Sequence, residues 1–420
     1  MTAEAPARRF EIVPAGAAPE ASLLLASRAL RAFGDGLISL LLPVHLAGLG
    51  FGPLEIGALA TATLAGSAAL TLAVGLVAHR LPGRGSLVGA ALLMVLTGLA
   101  FPLAEGFWPL FLIAFVGTIN PSSGDVSVFL PLEQARLAHA VPDQHRTGLF
   151  ARYSLIGSLS AAVGALCAGG PEMLAAATGI DPDAAIEGAF VLYALLGLAS
   201  LLLYRHLPES RADAASTPAE PLRRSRGIVL RLAALFSLDA FAGGLVVQSL
   251  LALWLFERFG LSLAAAGAIF FWTGVLSAVS YLVAVRIAAR IGLINTMVFT
   301  HLPANICLVL VPFAPNLGTA IALLLVRSLL SQMDVPTRTS YVMAVVTPGE
   351  RAAAASVTAV PRSLASALGP LLAGHLLALS GFGWPLVLGG GLKIIYDLSL
   401  LGMFRNVRPP EEVPAGPRRA

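Results

Sequence analysis

The sequence predicts an all-α membrane protein: twelve transmembrane helices in two six-helix, pseudo-symmetric bundles. Three observations lead there. Of 420 residues 57% are hydrophobic and only 12% charged, with mean hydropathy +0.83, whereas a soluble domain carries about 25% charged residues. The apolar runs are roughly 20 residues long and do not alternate, which selects helices over a closed barrel. The chain also repeats itself. Gly57 pairs with Gly267 and Arg80 with Arg290 at an offset of 210. Gly83 with Gly292 and Asp125 with Asp334 follow at 209, then Arg146 with Arg351, Gly164 with Gly369 and Gly169 with Gly374 at 205.

The elements follow in order. Residues 1–22 are Pro/Ala-rich, carry Arg8 and Arg9, and read as a cytoplasmic tail with no cleavable signal behind it. Six apolar spans make the first bundle (23–206): 23–47, 54–79, 86–105, 107–130, 146–169 and 187–206. Residues 207–227 contain Pro208, Pro218 and Pro221 among small and charged residues and read as a cytoplasmic linker. The second bundle (228–404) holds 228–256, 262–287, 291–312, 316–345, 352–379 and 383–404, and 405–420 is a C-terminal tail.

Arginine sets the orientation. Arg80 and Arg84 follow the second span, Arg136 and Arg146 join the fourth to the fifth, and Arg205, Arg211, Arg223, Arg224 and Arg226 fill the linker. The alternate loops 48–53, 104–109, 170–186 and 312–317 have none, and Arg258 is the one exception. Both termini and the linker are therefore expected in the cytoplasm of a cell with a bacterial-type inner (plasma) membrane.

Several function classes drop out. The net charge is +4, but the arginines lie one or two to a loop, without a basic stripe, which excludes nucleic acid. Cys167 and Cys307 form no CxxC motif and are expected to be inert buried thiols. His45, His301 and His375 stand isolated with no HExxH, so neither a metal site nor a cofactor is expected. No nucleophile–base pair occurs in any span, which argues against an enzyme.

The segment Gly75-Leu76-Val77-Ala78-His79-Arg80-Leu81-Pro82-Gly83-Arg84 resembles the loop signature G-x-x-A-D-R-x-G-R of the major facilitator superfamily, with Pro82 inserted and His79 in place of the Asp. Ile287-Ala288-Ala289-Arg290-Ile291-Gly292 echoes it in the second half. With twelve spans, a 6+6 repeat and a charged linker, the resemblance covers the whole chain. It implies a monomeric secondary transporter that works by alternating access. It further implies that Asp125 with Arg80 or Arg84, and Asp334 with Arg290, are paired latches of a cytoplasmic gate. Gly369-Pro370 followed by Gly374 resembles the G-P-x-x-G element of antiporters, displaced here to the eleventh helix.

Charges inside spans are costly and tend to line a pathway. At 1.5 Å per residue, Asp35 lies roughly 18 Å into the first span and Asp239 at a similar depth in the seventh. Both have glycine neighbours that leave room for water or solute, so they are the candidate sites of a coupling proton, or of Na⁺. The alternative for Asp35 is a static ion pair with Arg31. Arg31, Arg362, Arg338, Arg152 and Tyr341 are the candidates for binding substrate or an anion. Arg327, Asp334, Arg338 and Tyr341 fall on one helical face, which either binds an anion or neutralises itself; Pro336 breaks the helix there. Lys393 and Asp397, at i and i+4, are expected to pair. Trp108, Trp272 and Trp384 suit a membrane belt or packing role. The expected function is proton-coupled efflux of a small organic solute. Two alternatives stand beside it, an organic-anion carrier using intramembrane arginine and a transport-dead membrane sensor.

Overall fold

The computed structural model describes residues 18–77, 83–122, 127–141, 143–209, 222–405 and 407, and among these every regular element is helical. The helices are α1 Pro19–Gly48, α2 Pro53–Val77, α3 Gly83–Ala100, α4 Phe107–Val116, α5 Phe129–His139, α6 Asp143–Leu166, α7 Gly170–Thr178 and α8 Pro182–Arg205. The second half holds α9 Arg226–Gly244, α10 Gln248–Phe259, α11 Leu263–Ile291, α12 Leu293–Leu310, α13 Leu317–Ser331, α14 Asp334–Val345, α15 Arg351–Leu379 and α16 Trp384–Phe404. Four crossings are made of two helices each: α4–α5, α6–α7, α9–α10 and α13–α14. The sixteen helices thus give twelve crossings. Ten are long, apolar candidate spans, and the short apolar helices α4 and α13 open the other two.

The ends of the helices follow local chemistry. Pro19 opens α1, with Glu20 in its first turn; this puts the helix start four residues before the expected 23. Asp181 and Ser262 cap α8 and α11 by accepting from the amides of Ala184 and Ala265, both at 3.2 Å. Gly260, at φ +61°, ends α10 in a left-handed conformation that a side chain would strain. The break expected at Pro336 falls at Gln332–Met333, and Pro336 sits in the first turn of α14, where its missing N–H costs nothing.

The crossing that begins with α4 runs well past the expected residue 130. Glu133 and Arg136 interrupt the apolar run, so hydropathy stops there, yet α5 continues to His139. It can do so because Glu133 meets Arg31 inside the first bundle.

An even number of crossings puts the start of α1 and the end of α16 on one side, here termed proximal. The halves meet on the other, distal side, where α2 packs on α15, α11 on α6, and α10 on α1. The repeated glycines make these contacts. A Cβ on Gly57 would lie 2.5 Å from the Pro370 carbonyl oxygen, and one on Gly374 would lie 2.4 Å from that of Pro53. In the mirrored seam a Cβ on Gly267 would lie 2.6 Å from the Ala165 oxygen, and one on Gly169 would lie 2.7 Å from the Ala264 Cα. Gly164 and Gly369 act within each half: Gly164 seats α6 on the backbone of Phe33 in α1, and Gly369 seats α15 on Gly244 of α9. In lipid, helices associate through such close approach of backbones rather than by apolar burial.

Hydrogen bonds reinforce the distal seams. Gln248 Nε2 donates to Ser39 Oγ at 2.9 Å, the Leu371 amide to Thr61 Oγ1 at 2.9 Å, and the Leu263 amide to Glu172 Oε1 at 3.3 Å. Toward the proximal side the same helices lose burial: Arg152, Ser277, Tyr281 and Arg362 are half-buried or exposed. Trp108, Trp272 and Trp384 are exposed on the outer surface, as a membrane belt requires. Cys307 is half-buried, but Cys167, which opens the 3₁₀ segment Cys167–Gly169, is exposed, contrary to expectation.

Candidate functional site

There are two buried charge clusters among the described residues, one in each half. In the first half Glu133 of α5 is fully buried and accepts three hydrogen bonds. Tyr204 of α8 donates to its Oε1 at 2.6 Å, Tyr153 of α6 to its Oε2 at 2.5 Å, and Arg31 of α1 to the same Oε2. Arg31 Nε donates in addition to Tyr204 Oη at 3.1 Å, and its guanidinium stacks 4.0 Å from the Phe129 ring centre. Four helices thus supply one network in which each polar group satisfies the others, the condition under which buried charge is tolerated. Arg28, one turn before Arg31, lies over the Tyr153 ring at 4.9 Å and against Gly157, where a Cβ would leave it no room.

Arg31 is thus buried and engaged, and the carboxylate it hydrogen-bonds is Glu133, 102 residues away, where a pair with Asp35 was the expected alternative. Sequence reasoning missed Glu133 because it placed the residue in a loop. The signal available was an acidic residue one helical turn past an apolar run, in the same half as an intramembrane arginine. Asp35 is buried on α1 within the electrostatic reach of Arg31 and Tyr193. Arg152 is half-buried on α6, one residue before Tyr153.

In the second half Asp239 of α9 is the hub. Lys393 Nζ of α16 donates to its Oδ1 at 2.6 Å and Arg338 Nη2 of α14 to its Oδ2 at 2.9 Å. The same Nη2 pairs with Asp334, one turn back on α14, and the guanidinium lies 5.1 Å from the Phe236 ring centre. Arg338 is 8% exposed, yet its Nε and Nη1 are buried without a partner. Arg362, in the middle of α15, faces Arg338, Asp239 and Asp334 electrostatically but is itself accessible and makes no hydrogen bond or ion pair among the described residues. It is the site's open cation.

Three expectations are corrected by this arrangement. Lys393 and Asp397 do not pair, because α16 lies between α9 and α12. Lys393 reaches inward to Asp239, and Asp397 turns the other way, to His301 Nδ1 at 2.9 Å and Asn305 Nδ2 at 2.9 Å on α12. A same-helix pair at i and i+4 contributes only about 0.2–0.5 kcal/mol and yields readily to such partners. His301 is accordingly not isolated. The single face 327–334–338–341 is also interrupted: Arg327 lies on α13, before the break, and Tyr341 is fully buried, its hydroxyl donating to the Val407 carbonyl at 3.1 Å. Tyr341 thus anchors the chain after α16 and does not line the cleft.

Of the gate residues, Arg80 and Asp125 lie outside the described residues. Arg84 pairs with Glu209 at 3.6 Å, on the surface. Asp334 is engaged by Arg338, while Arg290 is exposed at the end of α11 and is not its partner here. The linker is pinned by a different carboxylate. Glu350, buried in the turn before α15, accepts from the amides of Arg223, Arg224 and Ser225 at 2.6, 2.7 and 3.0 Å. Those three bonds, with burial opposing them, hold its carboxyl at a pKa of about 2, below the usual carboxylate range.

A family model described as Major Facilitator Superfamily matches residues 24–333 and 232–420. The chain is similar to the uncharacterized membrane protein YJR124C of Saccharomyces cerevisiae, 26% identical over 427 residues that cover 93% of this chain and 95% of the relative. In three dimensions it is similar to a mutant form of the nucleoside transporter NupG, with TM-score 0.72 and 13% identity, over 92% of this chain and 99% of that one. It is likewise similar to a D-xylose-proton symporter, with TM-score 0.69 and 17% identity, over 90% and 96% of the two chains. At those identities the two structures speak to the fold.

Proposed function

The chain belongs to the major facilitator superfamily, a membrane transporter and not an enzyme, and from that premise we propose that it moves a small organic solute by alternating access, coupled to protons. One observation carries the reading. Two mirrored glycine seams, Gly57–Gly374 and Gly267–Ala165, hold the distal side shut, while toward the proximal side Arg152, Ser277, Tyr281 and Arg362 on the same helices are half-buried or exposed. Two bundles joined in this way rock about a central site. The proximal side is the cytoplasmic one by the arginine distribution, and the conformation is open to it.

Asp35 is the coupling-proton site in this reading. Asp239, held by Lys393 and Arg338, is the second candidate. Asp35 stands at a similar depth in α1. We read the coupling as exchange, solute out against proton in, by a monomer in the inner membrane. Latching of Asp334 by Arg290 belongs to the distal-open state, in which Arg338 lets go.

Proton flux in proteoliposomes tests this, followed with an internal pH dye while a panel of solutes is added. A solute-triggered pH change is expected in the wild type. Asp35→Asn is expected to abolish pH-driven transport and to spare solute exchange; equal loss of both sinks the assignment of Asp35. A solute that stabilises the protein without any flux favours a sensor.

A further inference from the structure

We propose that the transported solute carries an oxyanion, a carboxylate or a phosphate, and that this group seats on Arg362 of α15 beside the unpaired nitrogens of Arg338 on α14. The inference rests on the transport reading above and names the chemical class of its substrate.

Charge inventory is the first ground. Around the centre of the second half, three cations (Arg338, Arg362 and Lys393) face two carboxylates, Asp239 and Asp334. Asp397 does not redress the balance there, since it turns away to His301 and Asn305. Both carboxylates are engaged by Arg338 and Lys393, which leaves Arg362 unanswered. A cation at mid-depth in a membrane is costly unless something neutralises it, so its position in a cleft marks a ligand pathway.

Unused donors are the second, independent ground. Arg338 offers a single nitrogen, Nη2, to both Asp239 and Asp334, and its Nε and Nη1 remain buried without partners. Buried polar groups of this kind nearly always have a partner, and one left unpaired needs an explanation. An oxyanion between the two guanidiniums supplies acceptors to both, and guanidinium suits carboxylate and phosphate better than any other side chain does. Phe236, buried behind Arg338, holds that guanidinium in place, its ring centre 5.1 Å away.

Access and depth agree. Arg362 lies eleven residues into α15, roughly 16 Å from its proximal end at 1.5 Å per residue. Its side chain is accessible although protein surrounds it, as expected for a residue that lines a cleft.

The test uses the full-length protein, purified in an uncharged detergent, at fixed pH and ionic strength. The probes are benzoate and phenyl phosphate, with uncharged benzamide as the control and phosphatidylglycerol as a lipid arm; the readout is thermal stabilisation against concentration. At least one soluble anion is expected to stabilise the wild type, and benzamide is not. Arg362→Gln is expected to weaken the apparent affinity at least tenfold, Arg362→Lys to keep part of it, and Arg258→Gln, on an exposed distal arginine, to leave it unchanged.

An equal response in Arg362→Gln and the wild type overturns the proposal, as does no response to either anion. A response confined to phosphatidylglycerol overturns it in favour of a lipid headgroup. Anion binding without flux would leave this site standing and remove the transport reading instead. Flux of an uncharged solute that ignores Arg362→Gln would do the reverse.

Discussion

Replacing Gly57 with alanine should open the distal side. At this position α2 touches α15 backbone to backbone: the new Cβ would sit 2.5 Å from the Pro370 oxygen and 2.8 Å from the Gly374 Cα. No flexible side chain is there to give way, so the helices must part. Overpacking of this kind costs about 1–3 kcal/mol, and the cost falls only on the state in which the seam is closed. The ratio of distal-open to distal-closed molecules should therefore rise about 5- to 150-fold. The assay is maleimide labelling from the distal side at a cysteine substituted for Ala165. That residue is fully buried in the opposite seam and is exposed only when the halves separate. Cys167 and Cys307 are first replaced by serine. Gly57→Ala and Gly374→Ala should both accelerate labelling. Gly188→Ala, on α8 where a Cβ meets nothing within 4 Å, should not. An unchanged labelling rate in folded Gly57→Ala, or an equal rise in Gly188→Ala, would refute the seam argument.

Two further outcomes follow from the charge networks. Glu133→Ala strands Arg31 and two tyrosine hydroxyls in the first bundle and should cost about 3–5 kcal/mol of stability, read as a lowered melting temperature, whereas Glu133→Gln keeps an acceptor and should lose less. Glu350 should hold the linker at every physiological pH: its carboxyl titrates near 2 in the folded protein against an ordinary 4.5, so its contribution is complete above about 4.5 and fades only as pH falls toward 2. Hydrogen exchange at residues 223–225, corrected for the intrinsic rate, should stay protected from pH 8 to 5. Trypsin should cut after Arg223 and Arg224 faster in Glu350→Ala; unchanged cleavage would show that Glu350 does not pin the linker.

Much of the architecture could be read before any coordinates. The glycines at 57, 169, 267 and 374 stood out as repeat mates, and the seams they make depend only on the absence of a side chain, a property a sequence states outright. The open cation, Arg362, was also legible, since depth in a span is simply a count of residues from its end. The extension of the fourth crossing through α5 was not. Hydropathy stops at a charged residue, and whether Glu133 ends a span or continues it depends on Arg31 coming to meet it.

That difference marks the division. Composition and periodicity determine by themselves that this chain crosses a membrane twelve times in two matching halves, because an apolar run of span length has few other places to go. They also locate most of the charges inside the spans, Glu133 excepted. Which charge meets which was decided by the tertiary structure alone. Lys393 chose Asp239, 154 positions away, over Asp397 on its own helix, and Arg31 chose Glu133 over Asp35. The reason is that, away from water, the strength of a pair follows distance and the number of donors brought together. Those are set by how helices from distant parts of the chain pack, not by how near two residues stand along it.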